Sequence, residues 1–331
     1  MPNSAPRQLP VNGLSRFGFG CVKLGGSRTS GGDRRRIKLV HEAIDCGVTF
    51  FDTADAYGSG RSEAILGLAL GRRRSEVVLA TKGGYRFREV RLDGFRSTAF
   101  GQPIAAAWQH IRENAKGTPY SVQDFSATYL RDAVDASLRR LRTDHIDLYQ
   151  LHAPREMCDE ATFAALDELV RSGKVGQIGV GFESTSGADR WLDIDVVQTF
   201  QLPFGILDPE AGTTLLPAAA GRGVSVIARG VLASGLLNAD VSAIGLHMDR
   251  QKSALLEELR AVAMNGNLTM NDLALSWVLA QPLAGKVLVG IDSSAHLQSM
   301  IRAAVAPRPD EALMASVDGL LGAYLQKRAS H

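Results

Sequence analysis

The patterning of this chain points to a TIM-type (β/α)8 barrel, with long loops after strands 3 and 7 and an extra C-terminal helix. Three observations carry that expectation. Short apolar runs alternate with amphipathic stretches along nearly all of its 331 residues. Alternating strand and helix units of this kind favour an all-parallel sheet. The alternation yields eight strands over about 300 residues, the number that closes such a barrel. A doubly wound sheet is the other arrangement the pattern permits. No low-complexity linker and no short-period repeat divides the chain, so one domain is expected over residues 1–331.

The elements follow in order. FGFGCV (17–22) reads as a first strand and RRRIKLVHEAIDCG (34–47) as a helix stopped by Gly47. VTFFDTA (48–54) is a buried strand, RSEAILGLALG (61–71) a helix and EVVLATK (76–82) the third strand. Residues 83–125 then run without periodicity until SATYLRDAVDASLRRL (126–141), whose apolar positions fall at helical spacing. IDLYQLH (146–152) is the fourth strand, ATFAALDELVRSGK (161–174) a helix, VGQIGVG (175–181) the fifth strand and DVVQTFQ (195–201) the sixth. AGTTLLPAAAGRG (211–223) reads as a helix and VSVIARG (224–230) as the seventh strand, with a second aperiodic stretch over 229–249. NDLALSWVLAQ (271–281), KVLVG (286–290), AHLQSMIRAAV (295–305) and DEALMASVDGLLGAYLQ (310–326) read as helix, strand, helix and terminal helix. Long loops that leave the carboxyl ends of barrel strands sit on the face where such folds place their sites.

Composition narrows the function classes. Hydrophobic residues make up 45% and charged residues 22%, as in a soluble globular protein. The net charge is +2, from 37 basic and 35 acidic residues, which gives no footprint for nucleic acid. Arginine runs at 34–36 and 72–74 read as solvated helix ends. Cys21, Cys46 and Cys158 lack CxxC spacing, so neither a disulfide framework nor a metal site is expected. The polar start MPNSAPRQLP has no apolar signal core, and no run is long enough to span a bilayer. A cytoplasmic protein, monomeric or weakly homo-oligomeric, is the expectation.

The chemistry lies just beyond strand ends. Asp52 and Tyr57 follow the second strand, Lys82 the third and His152 the fourth. In a barrel those ends are neighbours on one rim. A tyrosine ionises near ~10 when unperturbed. A lysine ammonium beside it stabilises the phenolate, and a carboxylate holds that lysine charged. A neutral histidine can orient a substrate oxygen. Together they make a general acid for a carbonyl oxygen as hydride reaches its carbon. Each residue alone has an ordinary role: Asp as a cap, Tyr as packing, Lys as a solvent-facing charge, His as a core side chain. Four of the right types at successive strand ends outweigh those roles. A dinucleotide fingerprint is absent: Gly18–Lys23 and Gly179–Ser184 both fail at the third glycine.

FFDTADAYGSGRSEAILGLAL (50–70), LATK (79–82) and IDLYQLHAP (146–154) resemble the aldo-keto reductase superfamily's aspartate–tyrosine, lysine and histidine segments. RSGKVGQIGVG (171–181), DVVQ (195–198), VIARGVLASGLL (226–237) and LVGIDSSAHL (288–297) are similar to later family blocks, in order. The resemblance implies a barrel that binds NADP(H) or NAD(H) in extended form. It implies Tyr57 as proton donor, Asp52 and Lys82 as its partners and His152 as substrate orienter. For the cofactor it implies Gly20, Asp52 and Gly181 in the barrel mouth, with Gln198 on the nicotinamide amide. Arg229, Gly230, Leu232 and Gly235 would lie along the pyrophosphate, and Gly290, Asp292 and His296 around the adenosine ribose. Departures accompany the match. Gly181-Phe182 stand where the family often has Ser-Asn. Arg229 replaces an aromatic that often stacks on nicotinamide. Ser299-Met300 stand in for a Glu-Asn pair that often holds adenine. Asp292 stands where NADP-dependent members carry a cation, and a carboxylate suits a free ribose 2′-hydroxyl, so Asp292 points toward NAD(H).

The expected activity is hydride transfer between NAD(P)H and an aldehyde, ketone or sugar carbonyl. The altered cofactor contacts support an alternative, a nicotinamide-cofactor-binding regulatory subunit with little turnover. A third reading makes Lys82 a Schiff-base lysine. The 83–125 stretch carries Tyr85, Phe87, Phe95, Phe100 and Trp108 among Arg86, Arg88, Arg91 and Arg96. It is expected to form a lid in which an arginine meets an anionic or polyhydroxylated substrate.

Overall fold

The computed structural model describes residues 13–26, 32–86, 122–238 and 249–330. Eight strands are β1 (Phe17–Gly20), β2 (Phe50–Asp52), β3 (Val78–Gly83), β4 (Ile146–His152), β5 (Val175–Gly181), β6 (Val197–Pro203), β7 (Ser225–Arg229) and β8 (Lys286–Gly290). All pair in parallel with their sequence neighbours, and β8 pairs with β1 to close the barrel. Alternate residues face opposite sides of a strand, so each strand presents one row inward and one outward. Inside, Phe50, Ala80, Leu148, Ile227 and Leu288 form a small buried cluster. Outside, residues such as Phe51, Leu79, Tyr149 and Phe200 join the large core under the helices.

The helices are α1 (Gly32–Asp45), α2 (Arg61–Leu70), α3 (Ala127–Leu141), α4 (Glu160–Arg171), α5 (Leu215–Gly221), α6 (Arg250–Asn265), α7 (Met270–Ala280), α8 (Ser294–Val305) and α9 (Glu311–Ala329). Short polar residues cap several of them, because a side-chain oxygen can take up an otherwise unpaired backbone N–H. Ser126 caps α3, Asp159 caps α4, and Thr269 with Asp272 forms a reciprocal capping box on α7. No helix among the described residues is long and apolar enough to cross a membrane.

Two expectations change. The first strand stops at Gly20, and Cys21–Gly25 turn into a 3-10 helix. The helix expected over 211–223 contracts to α5, after a 3-10 turn at Glu210–Gly212. No α-helix follows β5; a 3-10 turn, Ala188–Trp191, takes that place. One helix was not anticipated. α6 begins after its cap Asp249 and buries Leu255, Leu256, Leu259 and Ala263 on one face. Of the expected lid, Tyr85–Arg86 and Val122–Gln123 pair as a short antiparallel ladder. Phe87, Arg88, Arg91, Phe95, Arg96, Phe100 and Trp108 lie outside the described residues.

Candidate active site

Register sets the site. Gly20 lies beside Asp52, Lys82 beside Gln150, His152 beside Gly181, and Gly181 beside Gln201. These positions share inward parity near the carboxyl ends of their strands. They form a polar layer directly above the apolar cluster inside the barrel.

Asp52 is the centre of that layer and is 3% exposed. Its Oδ2 accepts from Lys82 Nζ at 2.5 Å, while its Oδ1 accepts from Gln150 Nε2 at 3.0 Å and Gln201 Nε2 at 2.7 Å. A buried carboxylate needs such donors, since burial without them is costly. Lys82 is equally buried and also donates to Thr53 O at 2.9 Å and Tyr57 Oη at 3.4 Å. Burial alone would lower its pKa, but Asp52 and then Tyr57 outweigh that and raise it. Lys82 is therefore a committed ammonium. A Schiff-base role, which needs a neutral amine, does not fit it.

Tyr57 is placed by a tight turn, where the Gly25 and Gly58 backbones touch. A Cβ on Gly25 would lie 2.7 Å from the Tyr57 carbonyl group. Gly58 has φ +63°, a left-handed conformation that favours glycine. The Tyr57 ring meets His152 edge-on at 5.8 Å between centroids. Burial, then the charges of Lys82 and Arg229, push the His152 pKa down to about 3. Its imidazole is thus neutral, and its buried Nδ1 has no hydrogen-bond partner.

Three residues join the site that sequence reasoning did not assign to it. Gln150 and Gln201 hold Asp52. Tyr85 meets the other side of His152 edge-on at 5.1 Å. Gln150 was recoverable, since it precedes His152 by two residues and so shares its face. Gln198 requires correction. It is exposed and has the outward parity of Phe200, so it does not reach the mouth. Gln201, three residues on, has the inward parity and is buried. Arg86 pairs with Asp124 and lies over the Tyr129 ring, so it is not a free anion ligand.

The remaining expected positions line the rim over β7 and β8. Arg229 turns inward from the end of β7, and its Nη2 donates to Phe182 O at 2.5 Å and Glu183 O at 3.1 Å. Gly230, Gly235 and Gly290 are exposed, and a Cβ on any of them would meet nothing within 4 Å. Leu232 is half-buried between these glycines and packs on the core. Ala233 and Ser234 adopt positive φ, of +47° and +55°, a strained state for non-glycine residues. Asp292 and His296 pair at 3.3 Å beside the start of α8. The open glycine surfaces, the strained turn and the partnerless His152 Nδ1 together fit a long ligand laid from the mouth across β7 and β8.

The sequence model of the aldo/keto reductase family matches residues 16–321. The chain belongs to the aldo/keto reductase family. Its relatives in the family include an uncharacterized oxidoreductase, YqkF, of Bacillus subtilis (strain 168), 30% identical over 310 residues and covering 90% of each chain. The NADH-specific methylglyoxal reductase of Escherichia coli (strain K12) is 29% identical, covering 88% of this chain and 89% of its own. Among solved structures, the holo form of aldo-keto reductase AKR11C1 from Bacillus halodurans superposes with a TM-score of 0.72 at 26% identity, over 92% of this chain and 91% of that one. This chain is an oxidoreductase of that family, and its closed parallel barrel is the family's fold.

Proposed function

We propose that this protein reduces a small aldehyde, ketone or sugar carbonyl with NAD(P)H, and that Tyr57 is the proton donor. One observation carries the reading: Lys82 Nζ lies between the Asp52 carboxylate and the Tyr57 hydroxyl and donates to both. The nicotinamide supplies hydride when bound. Tyr57 gives its proton to the carbonyl oxygen, and Lys82 stabilises the phenolate left behind. His152, neutral, donates to the same oxygen and fixes the carbonyl's direction. Asp52 keeps Lys82 charged and still. Gly20, Gly181 and Arg229 border the space for the nicotinamide. Gly230, Leu232, Gly235 and Gly290 form the track for the rest of the cofactor. Asp292, paired with His296, would accept from a free ribose 2′-hydroxyl and repel a 2′-phosphate, which favours NADH. The name of the E. coli relative agrees with that preference and with a small aldehyde substrate.

The test is Tyr57→Phe, assayed with methylglyoxal and a carbonyl panel. Turnover should fall by roughly 10²–10⁴-fold, with nucleotide affinity unchanged. Undiminished turnover would remove Tyr57 from the acid role. The tetrad brought together at the mouth favours turnover over the regulatory-subunit alternative.

A further inference from the structure

We infer that Arg229 biases the barrel mouth against the oxidised, cationic nicotinamide, so that the protein holds the reduced cofactor more tightly than the oxidised one. The inference rests on the proposed function, which places the nicotinamide ring in the mouth that Tyr57 and His152 border.

The first ground is position. Arg229 follows Ile227 by two residues on β7 and shares its inward face. Its guanidinium reaches across β6 and is held by the carbonyls of Phe182 and Glu183, beyond β5. Two anchors at one nitrogen keep it over the mouth rather than out in solvent. Tyr57 and Asp52 are among the groups that act on its charge, and its own charge acts on His152.

The second ground is charge balance. No carboxylate among the described residues pairs with Arg229. Asp52 is taken by Lys82 and Asp208 by Lys252, while Glu183 gives Arg229 a backbone hydrogen bond and its carboxylate acts on the guanidinium only from a distance. His152 is neutral. Of the cations Lys82 and Arg229, Lys82 is bound to a carboxylate, Asp52, and Arg229 is bound only to backbone carbonyls. A half-buried guanidinium held by carbonyls keeps its full charge, which the Glu183 and Asp52 carboxylates offset only from a distance.

The reaction brings a further positive charge beside Arg229. The C4–H bond of the reduced nicotinamide breaks, and hydride carries its electron pair to the carbonyl carbon. The C=O π pair moves to oxygen, which takes the Tyr57 proton. The carbonyl is reduced to an alcohol and the nicotinamide is oxidised. The ring changes from neutral to +1. Once Tyr57 regains a proton from solvent, that charge has no new counter-ion. Like charges in a half-buried mouth repel more strongly than they do in water. Arg229 therefore disfavours the oxidised ring, promotes its release and commits the site to reduction.

The experiment is isothermal titration of the full chain with NADH, NAD+, NADPH and NADP+. It is repeated on Arg229→Gln and Arg229→Met, which remove the charge, and on Arg229→Lys, which keeps it. The unmodified protein should bind the reduced form of its preferred nucleotide at least about tenfold more tightly than the oxidised form. That ratio should shrink by about tenfold in either neutral variant and survive in Arg229→Lys. A ratio near one in the unmodified protein overturns the inference without any variant. So does an unchanged ratio in the neutral variants, an equal loss of both redox forms, or a collapse in Arg229→Lys. If the unmodified protein binds none of the four nucleotides, the proposed function falls and takes this inference with it.

Discussion

Asp52 accepts hydrogen bonds from Lys82, Gln150 and Gln201 at once, so the proposed acid depends on one buried carboxylate. Replacing it by Asn leaves the Lys82 ammonium buried without its counter-charge. We expect Asp52→Asn to lower stability by about 3–5 kcal/mol, read from the urea midpoint, and to lower kcat with it. The two glutamines separate cleanly. Gln201→Leu removes a donor from the buried carboxylate and should lower stability by ~1–3 kcal/mol. Gln198→Ala, on an exposed outward position, should change it by less than ~0.5 kcal/mol and leave NAD(P)H affinity intact. His152 carries a pH signature. Its pKa falls from about 6.5 in the unfolded chain to about 3 in the folded one, because burial and then Lys82 and Arg229 oppose its charging. The unfolded chain therefore binds the proton first as pH falls. The stability associated with neutral His152 is present above about 6.5 and is lost progressively toward pH 3. Urea unfolding at pH 7 and pH 4.5 should show a smaller acid loss in His152→Gln than in the unmodified protein. At this scale the sequence revealed the residue types of the tetrad. It did not reveal which glutamine faces inward, because Gln198 and Gln201 are equally plausible until parity is known.

Among the elements, the turn after β2 matters most, because it aims Tyr57. Its geometry depends on the Gly25 and Gly58 backbones lying against each other, where neither side can accept a methyl group. Gly25→Ala should displace the Tyr57 loop. We expect a fall in kcat with a smaller change in thermal midpoint, as a misplaced acid loses proton transfer before the barrel loses its core. Glycines clustered around Tyr57 were visible in the sequence. Their partner Gly25, some thirty residues earlier, was not, since only the closure of β1 against β2 brings the two segments together. α6 was missed for a related reason. Its apolar face is completed by tertiary neighbours, including α9, whose Arg328 pairs with the α6 cap Asp249 at 2.9 Å. β5 is followed by no α-helix before β6, because the Gly187–Trp191 turn covers that part of the barrel, with Trp191 buried against Phe182.

For the whole molecule, closure of the barrel is the decisive event. Arg16, just before β1, donates to the carbonyls of Leu279, Gln281 and Ala284 at the end of α7. It joins the first and last strand regions of the sheet. Arg16→Leu leaves those carbonyls without their donor, and we expect a loss of about 1–3 kcal/mol in urea unfolding with kcat/KM unaltered, since the residue lies far from the carboxyl-end rim. Alternating apolar runs, eight in number, and the strand-end Asp52, Tyr57, Lys82 and His152 are local signals, and the sequence by itself determined the barrel and the residue types of the proposed acid. Periodicity and residue type survive without knowledge of neighbours. The tertiary structure alone decided that Gln201 rather than Gln198 braces Asp52, that Tyr85 borders His152, and that the Phe182 and Glu183 carbonyls hold Arg229 in the mouth. Those facts depend on inter-strand register and on charge balance among segments distant in sequence. Both exist only once the sheet has closed.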